Sequence, residues 1–135
     1  MTSQIGAITL LVSDMQRSKA FYTELLGFEA VPAFSSPAGD FLFLRSKTSG
    51  PNIVLQDANI QTFGIPLARG GLTIGFVVED ADAVYRDWQS KSVEILTDVG
   101  DMGAGRLFNA KDPDGNYIQV YHLYPHILEI QKQQG

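Results

Sequence analysis

The chain carries the same pattern twice, and this constrains its fold more than any single residue does. In the first half, a β-branched and leucine-rich run over residues 7–12 leads into Asp14. Met15, Phe21, Tyr22, Leu25 and Leu26 then recur on one helical face, with Lys19 and Glu24 turned away from it. In the second half, residues 72–78 lead into Asp80, and Ala81, Val84, Tyr85 and Trp88 form the matching stripe. Overlaid, Val12-x-Asp14-Met15 meets Val78-x-Asp80-Ala81, and Tyr22 meets Trp88. Each aspartate stands where a carboxylate accepts the free amide hydrogens of a helix's first turn. Gly27 stands where a helix commonly ends in a left-handed residue. Three short strand candidates follow each helix: residues 28–31, 40–45 and 52–57, then residues 93–97, 106–111 and 117–123. Turn residues separate them, among them Ser35-Ser36-Pro37, Ser49-Gly50-Pro51 and Asp112-Pro113-Asp114-Gly115. Two units of strand, helix and three strands use almost the whole chain.

This order makes the chain α+β. With 135 residues it fits a single domain of two modules, the first over residues 6–57 and the second over residues 71–123. Residues 58–70 lack periodicity and read as a linker with room for a short helical turn, and residues 124–135 form a C-terminal tail. A chain of this length buries roughly two thirds of its unfolded surface, so it folds without a staple. The absence of cysteine excludes disulfides, thiolate metal sites, iron–sulfur clusters and a cysteine nucleophile. Ten basic against fifteen acidic residues give a net charge of −5, which argues against a nucleic-acid partner. No apolar run approaches the roughly 20 residues of a membrane-spanning helix, so no membrane partner is expected. The first six residues carry no lysine or arginine, so no secretory signal is expected and the location reads as cytoplasmic.

Three phrases carry a family resemblance: Leu11-Val12-Ser13-Asp14-Met15-x-x-Ser18-x-x-Phe21-Tyr22, then Leu25-Leu26-Gly27-Phe28, then Asp112-Pro113-Asp114-Gly115-Asn116. In that order and spacing the chain resembles the vicinal oxygen chelate superfamily, which contains glyoxalase I, extradiol dioxygenases and the bleomycin and fosfomycin resistance proteins. The resemblance covers about residues 6–123. It implies two tandem βαβββ modules whose curved mixed sheet surrounds a ligand cup. Metal-dependent members bring four ligands, mostly His and Glu, into that cup from the first and last strands of each module. The corresponding positions here hold Ala7, Thr73, Gln119, and either Val54 or Gln56, none of them a histidine or a carboxylate. A divalent ion needs charged or strongly donating ligands to leave its hydration shell, so no metal and no cofactor are expected. The two histidines, His122 and His126, lie beyond the last-strand ligand position and read as edge or surface polar residues. Pro125 between them prevents a helical pair presentation.

Strand alternation divides the remaining residues between core and cup. Ile8, Leu10 and Val12 go to the core, so Ala7, Thr9 and Leu11 face the cup. Similar reasoning turns Phe41, Phe43 and Arg45 inward on the third strand, Thr73 on the fifth, and Tyr117, Gln119 and Tyr121 on the last. The seventh strand leaves two registers open, with either Arg106 and Phe108 or Leu107 and Asn109 inside. The candidate ligand-binding set is therefore Thr9, Phe41, Phe43, Arg45, Gln56, Thr73, Arg106, Tyr117, Gln119 and Tyr121. Aromatic rings with a few convergent polar groups describe a small-molecule site. Arg45 or Arg106 offers a two-bond grip on a carboxylate or phosphate. Residues 100–105 are glycine-rich but do not join a strand to a helix, so they read as a mobile loop or flap rather than a phosphate cradle.

No general base with an obvious partner appears in this set, and no catalytic residue is assigned. The expectation is metal-independent binding of a small aromatic or amphipathic molecule in the cup, by a resistance- or sequestration-type homodimer. The alternative is a superfamily enzyme, a lyase, isomerase or dioxygenase, with a displaced or absent metal.

Overall fold

The computed structural model describes residue 2, residues 5–59 and residues 70–134. It divides into two compact units, Met1–Gly70 and Gly71–Gly135. The linker expected over residues 58–70 lies largely outside the described residues, since residues 60–69 are not among them.

The first unit follows the expected order. Strand β1 (Ala7–Val12) leads into helix α1 (Met15–Ala20), and Asp14 accepts a 3.1 Å hydrogen bond from the Arg17 amide as its cap. The helix widens into a π-helical turn over Phe21–Leu25, and Gly27 ends it at a φ of +76°. Strands β2 (Glu29–Ala30), β3 (Phe41–Arg45) and β4 (Asn52–Asp57) complete a sheet in the order β1-β4-β3-β2. β1 and β4 are parallel and the other pairs antiparallel. The register puts Leu10, Leu55 and Leu42 in one row and Ile8, Ile53 and Leu44 in the next, on the same face. Leu10, Leu44, Ile53 and Leu55 are sealed from solvent, as are Tyr22 and Ser18 of the helix. Phe21 and Tyr22 meet edge to face at 5.1 Å, which gives the α1 stripe its packing geometry.

The second unit repeats the plan. β5 (Thr73–Val77) precedes α2 (Ala81–Gln89), whose cap Asp80 accepts from the Ala83 amide at 3.1 Å. β6 (Glu94–Ile95), β8 (Gly105–Lys111) and β9 (Tyr117–Leu123) follow, in a sheet ordered β5-β9-β8-β6. Trp88 and Tyr85 of α2 meet Phe108 edge to face at 5.6 and 5.3 Å, so the helix lies on the face that also carries Ala110, Ile118 and Val120. All of these except Tyr85 are buried. The turn between β8 and β9 is held from inside. Asp112 Oδ1 accepts from the amides of Asp114 and Asn116, and its Oδ2 accepts from Asn116 Nδ2 at 2.8 Å. Asn116 Oδ1 in turn accepts from the Leu72 amide, joining the turn to the start of β5. Gly115 takes a φ of +90° to close it.

One segment differs from expectation. The glycine-rich stretch is a hairpin, with β7 (Gly100–Asp101) paired to β8. Tyr124 donates its hydroxyl to Asp101 Oδ2 at 2.9 Å, and its amide donates to Ala104 O, which ties the hairpin down. The tail forms helix α3 (Pro125–Gln134), with proline at its first turn, where a missing amide hydrogen is harmless. No helix among the described residues is long and apolar enough to cross a membrane.

Candidate functional site

Each sheet has a second face, turned away from its most deeply buried rows, and nine of the ten candidate residues lie on these faces. In the first unit the rows are Thr9–Val54–Phe43 and Leu11–Gln56–Phe41. Thr9 is exposed, Phe41 and Phe43 are half-buried, and Gln56 is buried. Phe34 packs edge to face on Phe43 at 5.6 Å, so an aromatic pair stands at the β3 side of this face. Arg45 faces Glu29 across the β2–β3 pair and forms an exposed ion pair with it. Its guanidinium is therefore shared with a carboxylate before any ligand arrives.

In the second unit the rows are Thr73–Tyr117–Lys111, Gly75–Gln119–Asn109 and Val77–Tyr121–Leu107. The middle row is the informative one. Gly75 contributes no side chain, and a Cβ there would stand 3.3 Å from Tyr121 Cε1. Gln119 and Asn109 sit side by side as cross-strand partners, between the tyrosines of the two neighbouring rows. Two amides supply both donors and acceptors, and two phenol rings supply flat apolar area with a polar tip. Lys111 lies over the Tyr117 ring at 5.8 Å.

The register thereby settles which residues of β8 share a face with Gln119: they are Leu107 and Asn109. Arg106 does not join them. It points to α2, where its Nε and Nη2 donate to Asp82 Oδ2 and Oδ1 at 2.8 and 3.0 Å. This paired hydrogen bond holds the Asp82 carboxyl below the usual carboxylate range and raises Arg106 further. His122 lies on the same side. Its Nδ1 accepts the Ala81 amide hydrogen at 2.8 Å, which satisfies a first-turn donor of α2 and leaves the ring proton on Nε2. Sequence reasoning placed His122 among edge or surface residues, and the cap was not visible without the register. His126 is exposed and stacks on Tyr124 with centroids 6.1 Å apart. Asp101 is likewise held below its usual range, first by the Gly103 amide and then by Tyr124, whose own hydroxyl Asp101 pushes up.

The positions that the family resemblance marks for metal ligands do not fit a divalent ion. Ala7, Thr73, Gln119 and Val54 or Gln56 bring no imidazole and no carboxylate to these faces. Among the described residues one other group brings suitable donor atoms within 4.8 Å of one another, namely Asp80, Asp82 and His122. All three already serve the start of α2: Asp80 caps Ala83, Asp82 holds Arg106, and His122 accepts from Ala81.

Comparison with known proteins agrees with this architecture. Phenazine antibiotic resistance protein EhpR of Enterobacter agglomerans is 32% identical over 126 residues, covering 83% of this chain and 86% of that protein. YetH of Bacillus subtilis (strain 168) is 28% identical over 117 residues, covering 86% of this chain and 95% of its own. The crystal structure of TnmS3, an antibiotic binding protein from Streptomyces sp. CB03234, superposes with a TM-score of 0.72 at 26% identity, over 91% of this chain and 98% of that one. Residues 4–120 match the model of one family, and the chain belongs to the Glyoxalase/Bleomycin resistance protein/Dioxygenase superfamily.

Proposed function

We propose that the protein binds a small aromatic or amphipathic molecule without a metal, as a resistance- or sequestration-type protein. The observation that carries this reading is the row Gly75–Gln119–Asn109 between Tyr117 and Tyr121. A planar ligand lies against the tyrosine rings there and exchanges hydrogen bonds with the two amides. The missing side chain at Gly75 lets the Tyr121 ring lie close against β5 at this row. Thr73 extends this lining, and Thr9, Phe41, Phe43 and Gln56 offer a surface of the same chemistry on the first sheet. Two similar proteins support the ligand class, since one is named for phenazine antibiotic resistance and the other for antibiotic binding. The donor sets at the family's metal positions support binding without an ion. We further propose a homodimer located in the cytoplasm, with no nucleic-acid or membrane partner.

The test is calorimetric titration with phenazine and a panel of planar aromatic acids. Saturable binding that weakens about tenfold or more in Gln119→Ala and Tyr121→Ala supports the reading, since each removes a ligand contact worth roughly 1.5 kcal/mol. Absence of binding below millimolar across the panel, or binding indifferent to both substitutions, sinks it. Light scattering on the same samples reports the oligomeric state.

A further inference from the structure

A second concave surface lies on the helix side of the second unit. It is a groove of about 500 Å³ between α2 and the segment around β6, lined by Tyr85, Gln89, Val93, Ile95, Leu96, Thr97 and Asp98. That volume falls within the range of small-molecule sites. Its polar groups are biased. Asp98 is the one acidic side chain among the lining residues, and no lysine or arginine lines the groove. Tyr85 Oη donates to Asp98 Oδ1 at 2.7 Å, which spends the phenol's proton and leaves its lone pairs and Asp98 Oδ2 as acceptors. The Gln89 carbonyl adds another acceptor. The nearby cations are engaged elsewhere: Lys91 pairs with Asp87 at 2.9 Å, and Lys111 with Glu94 at 3.8 Å. Arg86, the residue after Tyr85 on α2, is exposed and does not line the groove. Val93, Ile95 and Leu96 supply an aliphatic strip beside Thr97, with Leu96 41% exposed.

We propose that this groove is a second binding site, for a small organic cation with an apolar body such as a protonated arylalkyl amine. The ammonium donates to Asp98 Oδ2 and Tyr85 Oη, and the hydrocarbon part covers Val93, Ile95 and Leu96. A cation suits both the local acceptor set and the chain's net charge of −5. An anion of the same shape finds no donor with a charge. Thr97 of the groove accepts from the Asn109 amide at 2.9 Å and so adjoins the Gln119 row, and the residues whose signals move tell the two sites apart.

The experiment is an amide-resolved NMR titration of the full chain with 2-phenylethylamine, phenylacetate and 2-phenylethanol. Saturable shifts centred on Tyr85, Gln89, Leu96 and Asp98 with the amine, and no saturable shifts there with phenylacetate, support the proposal. Asp98→Asn keeps an acceptor for Tyr85 but removes the charge, and it should weaken the amine about tenfold or more, as loss of a charge-assisted hydrogen bond does. Tyr85→Phe should weaken it less. Amine shifts confined to Tyr117, Gln119 and Tyr121, equal binding of phenylacetate, no saturable shifts, or an unchanged affinity in Asp98→Asn would each overturn it.

Discussion

Arg106 and His122 are direct partners across the β8–β9 pair, and both hold the first turn of helix α2. Arg106 takes the Asp82 carboxylate in two hydrogen bonds, and His122 takes the Ala81 amide in one. One cross-strand pair thus fixes where the helix begins and how it lies on the sheet. Replacing His122 with alanine leaves a first-turn amide without its partner. The expected loss is about 1 kcal/mol of unfolding free energy, read from urea denaturation, as for other lost helix caps. His122→Ala at full stability would show that water replaces the imidazole without penalty.

Acid should loosen the same region. Asp82 and Asp101 both have carboxyls held below the usual range in the folded chain, by Arg106 and by the Gly103 amide respectively. A depressed folded pKa adds stability above the unfolded value of about 3.9, and that contribution is lost as pH falls through the folded value. The urea midpoint should therefore fall with pH below about 4, and the Asp82→Asn and Asp101→Asn double variant should show a shallower fall. Identical pH profiles for the two proteins would contradict the assignment.

The turn residue Asn116 is 1% exposed and makes hydrogen bonds in three directions, to both Asp112 oxygens and to the Leu72 amide. Asn116→Ala strips the side-chain bonds and leaves buried partners unsatisfied, so it should cost about 2–4 kcal/mol of stability. Chemical denaturation measures this directly. A loss under about 1 kcal/mol would mean that the Asp112 network closes without it.

Two glycines should respond differently to a methyl group. At Gly105 a Cβ would stand 1.9 Å from the His122 carbonyl oxygen, a backbone atom that cannot step aside. Gly105→Ala should lower stability by about 3 kcal/mol or more, or prevent folding. At Gly75 the added Cβ meets only the edge of the Tyr121 ring at 3.3 Å. Gly75→Ala should fold, with its effect appearing in the affinity for a planar ligand rather than in the denaturation midpoint. Equal stability losses at the two positions would be the contrary result.

Treatment with a strong chelator should leave the thermal midpoint unchanged, because the family's metal positions carry no imidazole or carboxylate. Elemental analysis of protein purified without chelator provides the check. A stoichiometric Fe, Mn, Ni or Zn signal would contradict the expectation.

What the sequence made legible follows the range of the forces involved. Asp14 and Asp80 cap their helices through bonds three residues away, and Gly27 and Gly115 take positive φ for local steric reasons. Such signals are written within a few neighbours and read correctly. β8 was ambiguous because both of its faces mix one polar and one apolar residue, Arg106 with Phe108 and Leu107 with Asn109. The choice is made by Asp82, 24 residues earlier in the chain, and by Trp88 and Tyr85 on the same helix. β7 escaped notice because glycine has no strand preference and Tyr124 is what holds it. The Tyr85–Asp98 groove likewise joins residues from separate elements, with no motif to announce it.

Strand β9 alternates between two duties. Ile118, Val120 and His122 face the helix and hold the unit together, and Tyr117, Gln119 and Tyr121 face the other way. A substitution at Tyr117, Gln119 or Tyr121 therefore changes the chemistry of that outer face without opening the core beneath it. If this face binds the ligand as proposed, its preference is open to change in single steps that leave the buried rows intact.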